Sequence, residues 1–190
     1  FGRLWVGTSH NKEEEPRGAL WCVTADGRCF LGDAGFAVSN GPAFSLDGKT
    51  MYFNDSAGRK TYAYDIAEDD PHPRNRRKLV NWMQDEGMPD GVVVDKEDNL
   101  WVAHWGGARI TRVSKRGDRL QTLQVPVPHV TTVCFGGLDH ATLYVTTARD
   151  GLSPDSLKTW PQSGDLFSIK PGFKGVAEPL FPLKLPGRVD

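Results

Sequence analysis

Residues 90–125 hold four short runs in succession: Asp90-Gly91-Val92-Val93-Val94-Asp95, Leu100-Trp101-Val102-Ala103-His104, Arg109-Ile110-Thr111-Arg112-Val113 and Leu120-Gln121-Thr122-Leu123-Gln124-Val125. The third alternates apolar with polar residues, the period of a strand with one wetted face, and the fourth stretch follows it. The first two are short apolar runs, one of them aromatic-bearing. Arg116-Gly117-Asp118 sits between the third and fourth and supplies the positive backbone φ that a tight hairpin needs. The stretch therefore predicts four consecutive antiparallel strands.

The aromatic run recurs along the chain. Leu4-Trp5-Val6-Gly7-Thr8, Met51-Tyr52-Phe53-Asn54-Asp55 and Leu143-Tyr144-Val145-Thr146-Thr147 overlay on Leu100–His104 at intervals of 47, 49 and 43 residues. Similar units precede three of the four: Asn40-Gly41-Pro42-Ala43-Phe44-Ser45, the run from Asp90, and Thr132-Val133-Cys134-Phe135-Gly136-Gly137. An alternating stretch follows again at Thr61-Tyr62-Ala63-Tyr64-Asp65, and Asp26-Gly27 and Asp47-Gly48 are further hairpin turns. Four strands per period of about 45 residues is the pattern of a β-propeller blade. The predicted class is all-β. Ser153-Pro154-Asp155-Ser156-Leu157 is expected to start one helical turn at most. Glu13-Glu14-Glu15 and Arg74-Asn75-Arg76-Arg77-Lys78, with Pro71, Pro73, Pro126 and Pro128, read as connections between strands.

Composition narrows the partners. The 190 residues carry 23 Lys+Arg against 24 Asp+Glu, a net charge of -1, which gives no electrostatic case for nucleic-acid or membrane-surface binding. Hydrophobic residues at 38% and aromatics at 10% suffice for a packed core, and 21 Gly with 13 Pro favour turns over long helices. No apolar run approaches the roughly 20 residues of a membrane-spanning helix. Cys22, Cys29 and Cys134 form no closed disulfide set and no zinc pattern, so a reducing, cytoplasmic location is the simplest reading. A two-residue turn at Asp26-Gly27 would set Thr24 opposite Cys29 and Cys22 opposite Leu31, making the two thiols at best diagonal neighbours. No bridge between them is expected.

In a propeller the innermost strands converge on a central channel, so polar residues at their mouths become neighbours. Asn40 and Asp90 take matching places there, each followed by Gly and one period apart. An amide carbonyl and a carboxylate are hard oxygen ligands suited to Ca²⁺, Mg²⁺, Mn²⁺ or, less ideally, Zn²⁺. Asn-Gly and Asp-Gly are also common turn dipeptides, and on residue types alone a turn role competes with a ligand role. His104 near the channel reads as a core or supporting residue. His10, His72, His129 and His140 form no ligand spacing and read as solvated. Asp55 reads as a turn-capping carboxylate. Trp5, Tyr52, Trp101 and Tyr144 read as packing between blades.

The strings Ser39-Asn40-Gly41-Pro42-Ala43-Phe44-Ser45, Met88-Pro89-Asp90-Gly91, Leu100-Trp101-Val102-Ala103, Cys134-Phe135-Gly136-Gly137 and Leu143-Tyr144-Val145-Thr146-Thr147-Ala148-Arg149 resemble, in order and spacing, the regucalcin (senescence marker protein)/gluconolactonase family. The resemblance runs from about residue 1 to about residue 170. It implies a six-bladed propeller with one divalent metal at the centre and hydrolysis of sugar lactones. It places Asn40 on the family's asparagine ligand and Asp90 on its aspartate ligand, the residue also proposed as general base. The family's glutamate ligand and its substrate-contacting arginine and asparagine fall N-terminal to the segment matching Phe1-Gly2-Arg3-Leu4-Trp5.

The expectation is thus a single propeller segment over residues 1–190, about four blades, with the first two of the family's ring outside it and the substrate-binding residues with them. Its open edges are expected to be covered by those blades or by another chain. The function the resemblance implies is metal-dependent opening of a sugar lactone. A non-catalytic Ca²⁺-binding or regulatory propeller, and another ester or phosphotriester hydrolase on the same fold, are the alternatives.

Overall fold

In the computed structural model, which describes residues 2–182, fourteen strands form four antiparallel sheets in chain order. The first holds β1 (Arg3–Gly7), β2 (Gly18–Thr24) and β3 (Cys29–Phe36). The second holds β4 (Ser39–Phe44), β5 (Thr50–Asp55), β6 (Lys60–Ala67) and β7 (Asp70–Asn81). The third holds β8 (Met88–Val94), β9 (Leu100–Trp105), β10 (Arg109–Val113) and β11 (Arg119–Gln124), and the fourth β12 (Val130–Gly136), β13 (Thr142–Thr147) and β14 (Leu166–Ile169). Each sheet is a blade of the expected propeller, and β4, β8 and β12 stand beside one another as innermost strands. Phe1, which opens the stretch matched above, lies outside the described residues.

One packing rule repeats between blades. The aromatic residue at the second position of the recurring run points one way, and its aliphatic neighbours at the first and third positions point the other, as strand alternation requires. Trp5 therefore shares a core with Met51 and Phe53, Tyr52 with Leu100 and Val102, and Trp101 with Leu143 and Val145. The sequence period and the interface period are the same. The end sheets keep one half of the rule each: Leu4 and Val6 are 45% and 38% exposed, and Tyr144 is 39% exposed.

Three local expectations need correction. The β2–β3 turn is not a two-residue hairpin. The Thr24 N–H donates to Arg28 O (3.0 Å) and the Gly27 N–H to Thr24 O (2.9 Å), with Gly27 at φ 81°, so three residues separate the closing pair. This is a type I turn extended by one left-handed residue. The extra residue shifts the register: Cys22 opposes Phe30 and Cys29 opposes Val23. The two thiols point to opposite faces, Cys22 buried and Cys29 exposed, and both are free. The same three-residue turn closes Ser114 on Asp118 around Gly117 at φ 95°.

The second correction concerns Arg74–Lys78, which with Pro71 and Pro73 lie inside β7 and not in a connection. β7 is the outermost strand of its blade, where a proline forfeits no ladder bond on the open side. Of its guanidinium groups, Arg77 reaches back over its own sheet to Asp65 (2.6 Å) and Arg76 reaches Asp33 (3.1 Å) on β3 of the neighbouring sheet. The third is α1 (Pro154–Thr159), six residues where the sequence predicts one turn, begun by Ser153, whose hydroxyl accepts the Ser156 N–H. No helix among the described residues is long and apolar enough to cross a membrane.

Candidate metal centre

Each innermost strand is bulged near its start. The ladder of β4 on β5 slips between Asn40 and Ala43, that of β8 on β9 between Pro89 and Val92, and that of β12 on β13 between Val130 and Thr132. A bulge re-aims the side chains beside it, and here Asn40 and Asp90 each lie at one. The strands also approach closely at these points. A Cβ on Gly41 would stand 3.0 Å from Val92 Cγ1, and one on Gly91 would collide with the Thr132 side chain. Glycine at 91 is what admits β12 beside β8.

Two hydrogen-bonded chains of side chains reach the β8 bulge. In the first, the Trp82 indole N–H donates to Thr61 Oγ1 (2.9 Å), the Thr61 hydroxyl donates to Asn54 Oδ1 (2.6 Å), and Asn54 Nδ2 donates to the Asp90 carbonyl (2.6 Å). Asn54, Thr61 and Trp82 are all buried. Its direction has no alternative, because an indole only donates and a carbonyl only accepts. In the second, Asn40 Nδ2 donates to Ser56 Oγ (2.8 Å) and the Ser56 hydroxyl donates to the Pro89 carbonyl (2.5 Å). Asn40 is thereby tied, through one hydroxyl, to the residue before Asp90.

The Asp90 carboxyl has no such partner. It takes a hydrogen bond from the Gly91 N–H and pairs with no cationic side chain among the described residues. Burial pushes its pKa up to about 7, and the negative charge of Glu13 adds to the rise. A part-buried carboxyl with an acidic neighbour and no counter-ion is an environment that a bound divalent cation relieves. The donor set fits a hard cation: one carboxylate and one amide carbonyl, both oxygen. Among the described residues no three His, Cys, Asp or Glu side chains group as a metal site. A cation on Asn40 and Asp90 would therefore complete its shell with water or with groups beyond these residues.

The other residues singled out in the sequence fall outside this pair. His104 is fully buried, edge-on to Trp82 with ring centroids 4.6 Å apart, and burial pushes its pKa down to about 4, so it is a neutral core residue. His129 is not simply solvated; it stacks on Trp105 at 4.0 Å. Asp55 caps its turn as expected, accepting the Gly58 N–H (3.0 Å). Sequence reasoning missed Asn54, Ser56, Thr61, Trp82 and Glu13. A polar residue following three apolar ones in the recurring run, Asn54 after Met51-Tyr52-Phe53, was the available signal for the first chain.

The chain matches the family described as the SMP-30/Gluconolactonase/LRE-like region over residues 1–149. It belongs to that family. Among its relatives, regucalcin of Xenopus laevis is 42% identical over 187 residues, covering 95% of this chain and 62% of that protein. The 6-deoxy-6-sulfogluconolactonase of Pseudomonas putida is 36% identical over 182 residues, covering 95% and 62%. Among solved structures, a calcium-binding protein, regucalcin, from Agrobacterium tumefaciens superposes with a TM-score of 0.89 at 31% identity, covering 95% of this chain and 61% of that one. The chain thus spans about three-fifths of the length of these family members, and it does so as an all-β, gluconolactonase-like fold.

Proposed function

We propose that this chain carries the metal-holding part of a lactone hydrolase, with Asn40 and Asp90 as oxygen ligands to one divalent cation and a sugar lactone as substrate. The observation that carries this reading is the Asp90 carboxyl, set at a strand bulge, part-buried and, among the described residues, without a counter-ion. Family membership and the lactonase among the relatives supply the substrate class. When bound, a divalent cation supplies Lewis acidity to the lactone carbonyl.

The chain's own residues do the rest. Asp90 holds the site's negative charge, and with a pKa near neutrality its carboxylate is matched to taking a proton from an attacking water. Cation binding pulls that pKa down, so its ligand and base roles compete. Asn40 presents a neutral oxygen, which sets geometry without reducing the electrophilicity of the ion. The reading also assigns an occupant to the end sheets. Leu4 and Val6 on one and Tyr144 on the other offer the two halves of the packing rule seen between inner blades, so blades of the same repeat, in this chain or another, fit them.

A second reading, cation binding without turnover, is favoured by the calcium-binding regucalcin structure to which the chain is similar. A pH-stat assay separates the two, using gluconolactone and this chain joined to the remaining segment of the Pseudomonas putida relative. Acid release that requires the cation and is lost in Asp90→Ala is the expected result. Release that survives chelation overturns the metal-dependent mechanism, and cation binding without release favours the second reading.

A further inference from the structure

We infer that Ser56 is a positioning residue that fixes which end of the Asn40 amide faces the site, so that Oδ1 and not Nδ2 is presented to a cation. The inference rests on the reading of Asn40 as a ligand and adds a residue that touches neither substrate nor ion.

A carboxamide is nearly symmetric in shape, and its two ends differ only in hydrogen bonding. The oxygen binds a cation; the amino group, a donor, repels one. An asparagine ligand therefore works only if something decides between two orientations of almost equal bulk. Ser56 makes that decision by proton bookkeeping. Its hydroxyl has one hydrogen, and the Pro89 carbonyl, 2.5 Å away, has none to offer. The Ser56 hydrogen is therefore committed to Pro89, and only lone pairs remain toward Asn40. The group 2.8 Å from those lone pairs has to be a donor, so Nδ2 faces Ser56 and Oδ1 points away. A flipped amide would set oxygen against oxygen at a buried hydroxyl, where water cannot repair the mismatch.

The same logic operates one strand away, which makes the arrangement more than a single contact. Trp82, a pure donor, forces Thr61 to donate onward to Asn54 Oδ1, and this turns Asn54 Nδ2 toward the Asp90 carbonyl. The two carbonyls flanking the Asp90 Cα are thus pinned separately, Pro89 by Ser56 and Asp90 by Asn54. Ser56 touches both ligand-bearing strands, setting the Asn40 amide on β4 and the backbone before Asp90 on β8.

Ser56→Ala removes the acceptor, and Ser56→Cys keeps a similar shape while offering a thiol, a weak partner. Both are expected to weaken Ca²⁺ or Mn²⁺ binding, measured by calorimetric titration, by roughly tenfold, the equilibrium equivalent of one buried hydrogen bond. Ser56→Thr, which keeps the hydroxyl, is expected to restore most of it. A second readout needs no cation: hydrogen exchange of the Asn40 side-chain amide, followed by NMR in the metal-free protein. Exchange should quicken in Ser56→Cys while β5 backbone amides keep their protection. Unchanged affinity and unchanged Asn40 exchange in both variants would overturn the proposal. Faster Asn40 exchange in a protein that binds no cation even with Ser56 in place would uphold the positioning role and overturn the ligand reading instead.

Discussion

Asp90 and Asp95 sit five positions apart, Asp90 near the start of β8 and Asp95 just past its end, and their carboxyl groups meet opposite treatment. Asp95 is fully buried and fully answered. It accepts from Arg112 Nε (2.8 Å), the Trp101 indole (2.9 Å) and the backbone N–H groups of Glu97 (2.9 Å) and Asn99 (3.0 Å). Arg112 is itself held by Glu97 and lies 3.6 Å from the centre of the Phe173 ring. Asp90 has a backbone N–H, an acidic neighbour in Glu13 and, among the described residues, no counter-ion. A carboxylate whose acceptor sites are filled by protein is spent on the fold. One whose charge is left unanswered is available to something else.

The difference can be broken from the Asp95 side with the largest effect. Asp95→Ala leaves the buried Arg112 guanidinium with only the exposed Glu97 carboxylate and strands the Trp101 indole N–H, and is expected to cost about 3–5 kcal/mol in urea unfolding. A loss under about 1 kcal/mol would show that the pair is not the structural anchor claimed here. Thr61→Val is next. It strands the Trp82 N–H and Asn54 Oδ1 in the core, for an expected loss of about 2–3 kcal/mol by the same measurement.

Asp90→Asn should run in the other direction. The folded pKa of Asp90 lies near 7, above its unfolded value, so folding retains a proton that the unfolded chain releases from about pH 4 upward. The Asp90 contribution to metal-free stability therefore falls as pH rises from about 4 to about 7 and levels beyond it, while buried His104, its pKa pushed down to about 4, contributes the opposite slope in wild type and variant alike. Asp90→Asn removes that fall, and thermal melts at pH 8 without metal should show it more stable by about 1 kcal/mol. A destabilised variant would mean that the carboxylate is satisfied after all.

Much of the fold was legible because blade packing is written in one short run. Leu4, Met51, Leu100 and Leu143 with their aromatic neighbours repeat at the blade period, and all of these positions but the end-sheet Leu4 and Tyr144 fill the interfaces between blades. The matching places of Asn40 and Asp90 near the starts of their strands were legible for the same reason. β7 was hidden because its Arg and Pro residues follow edge-strand rules, which look like loop rules in sequence. The Cys22 register was hidden because a three-residue and a two-residue turn both place Gly near the corner. The two hydrogen-bond chains were hidden because their links join Ser56 to Pro89 and Asn54 to Asp90, separations of 33 and 36 residues that no local pattern encodes.

The most direct test is a divalent-cation titration of wild type and Asp90→Ala across pH 5–8. One cation per chain is expected, with affinity weakening about tenfold per pH unit below about 7, as the proton on Asp90 competes, and with binding lost in Asp90→Ala. Equal affinity in wild type and Asp90→Ala, with no dependence on pH, would contradict the assignment of Asp90 as the charge that holds the ion.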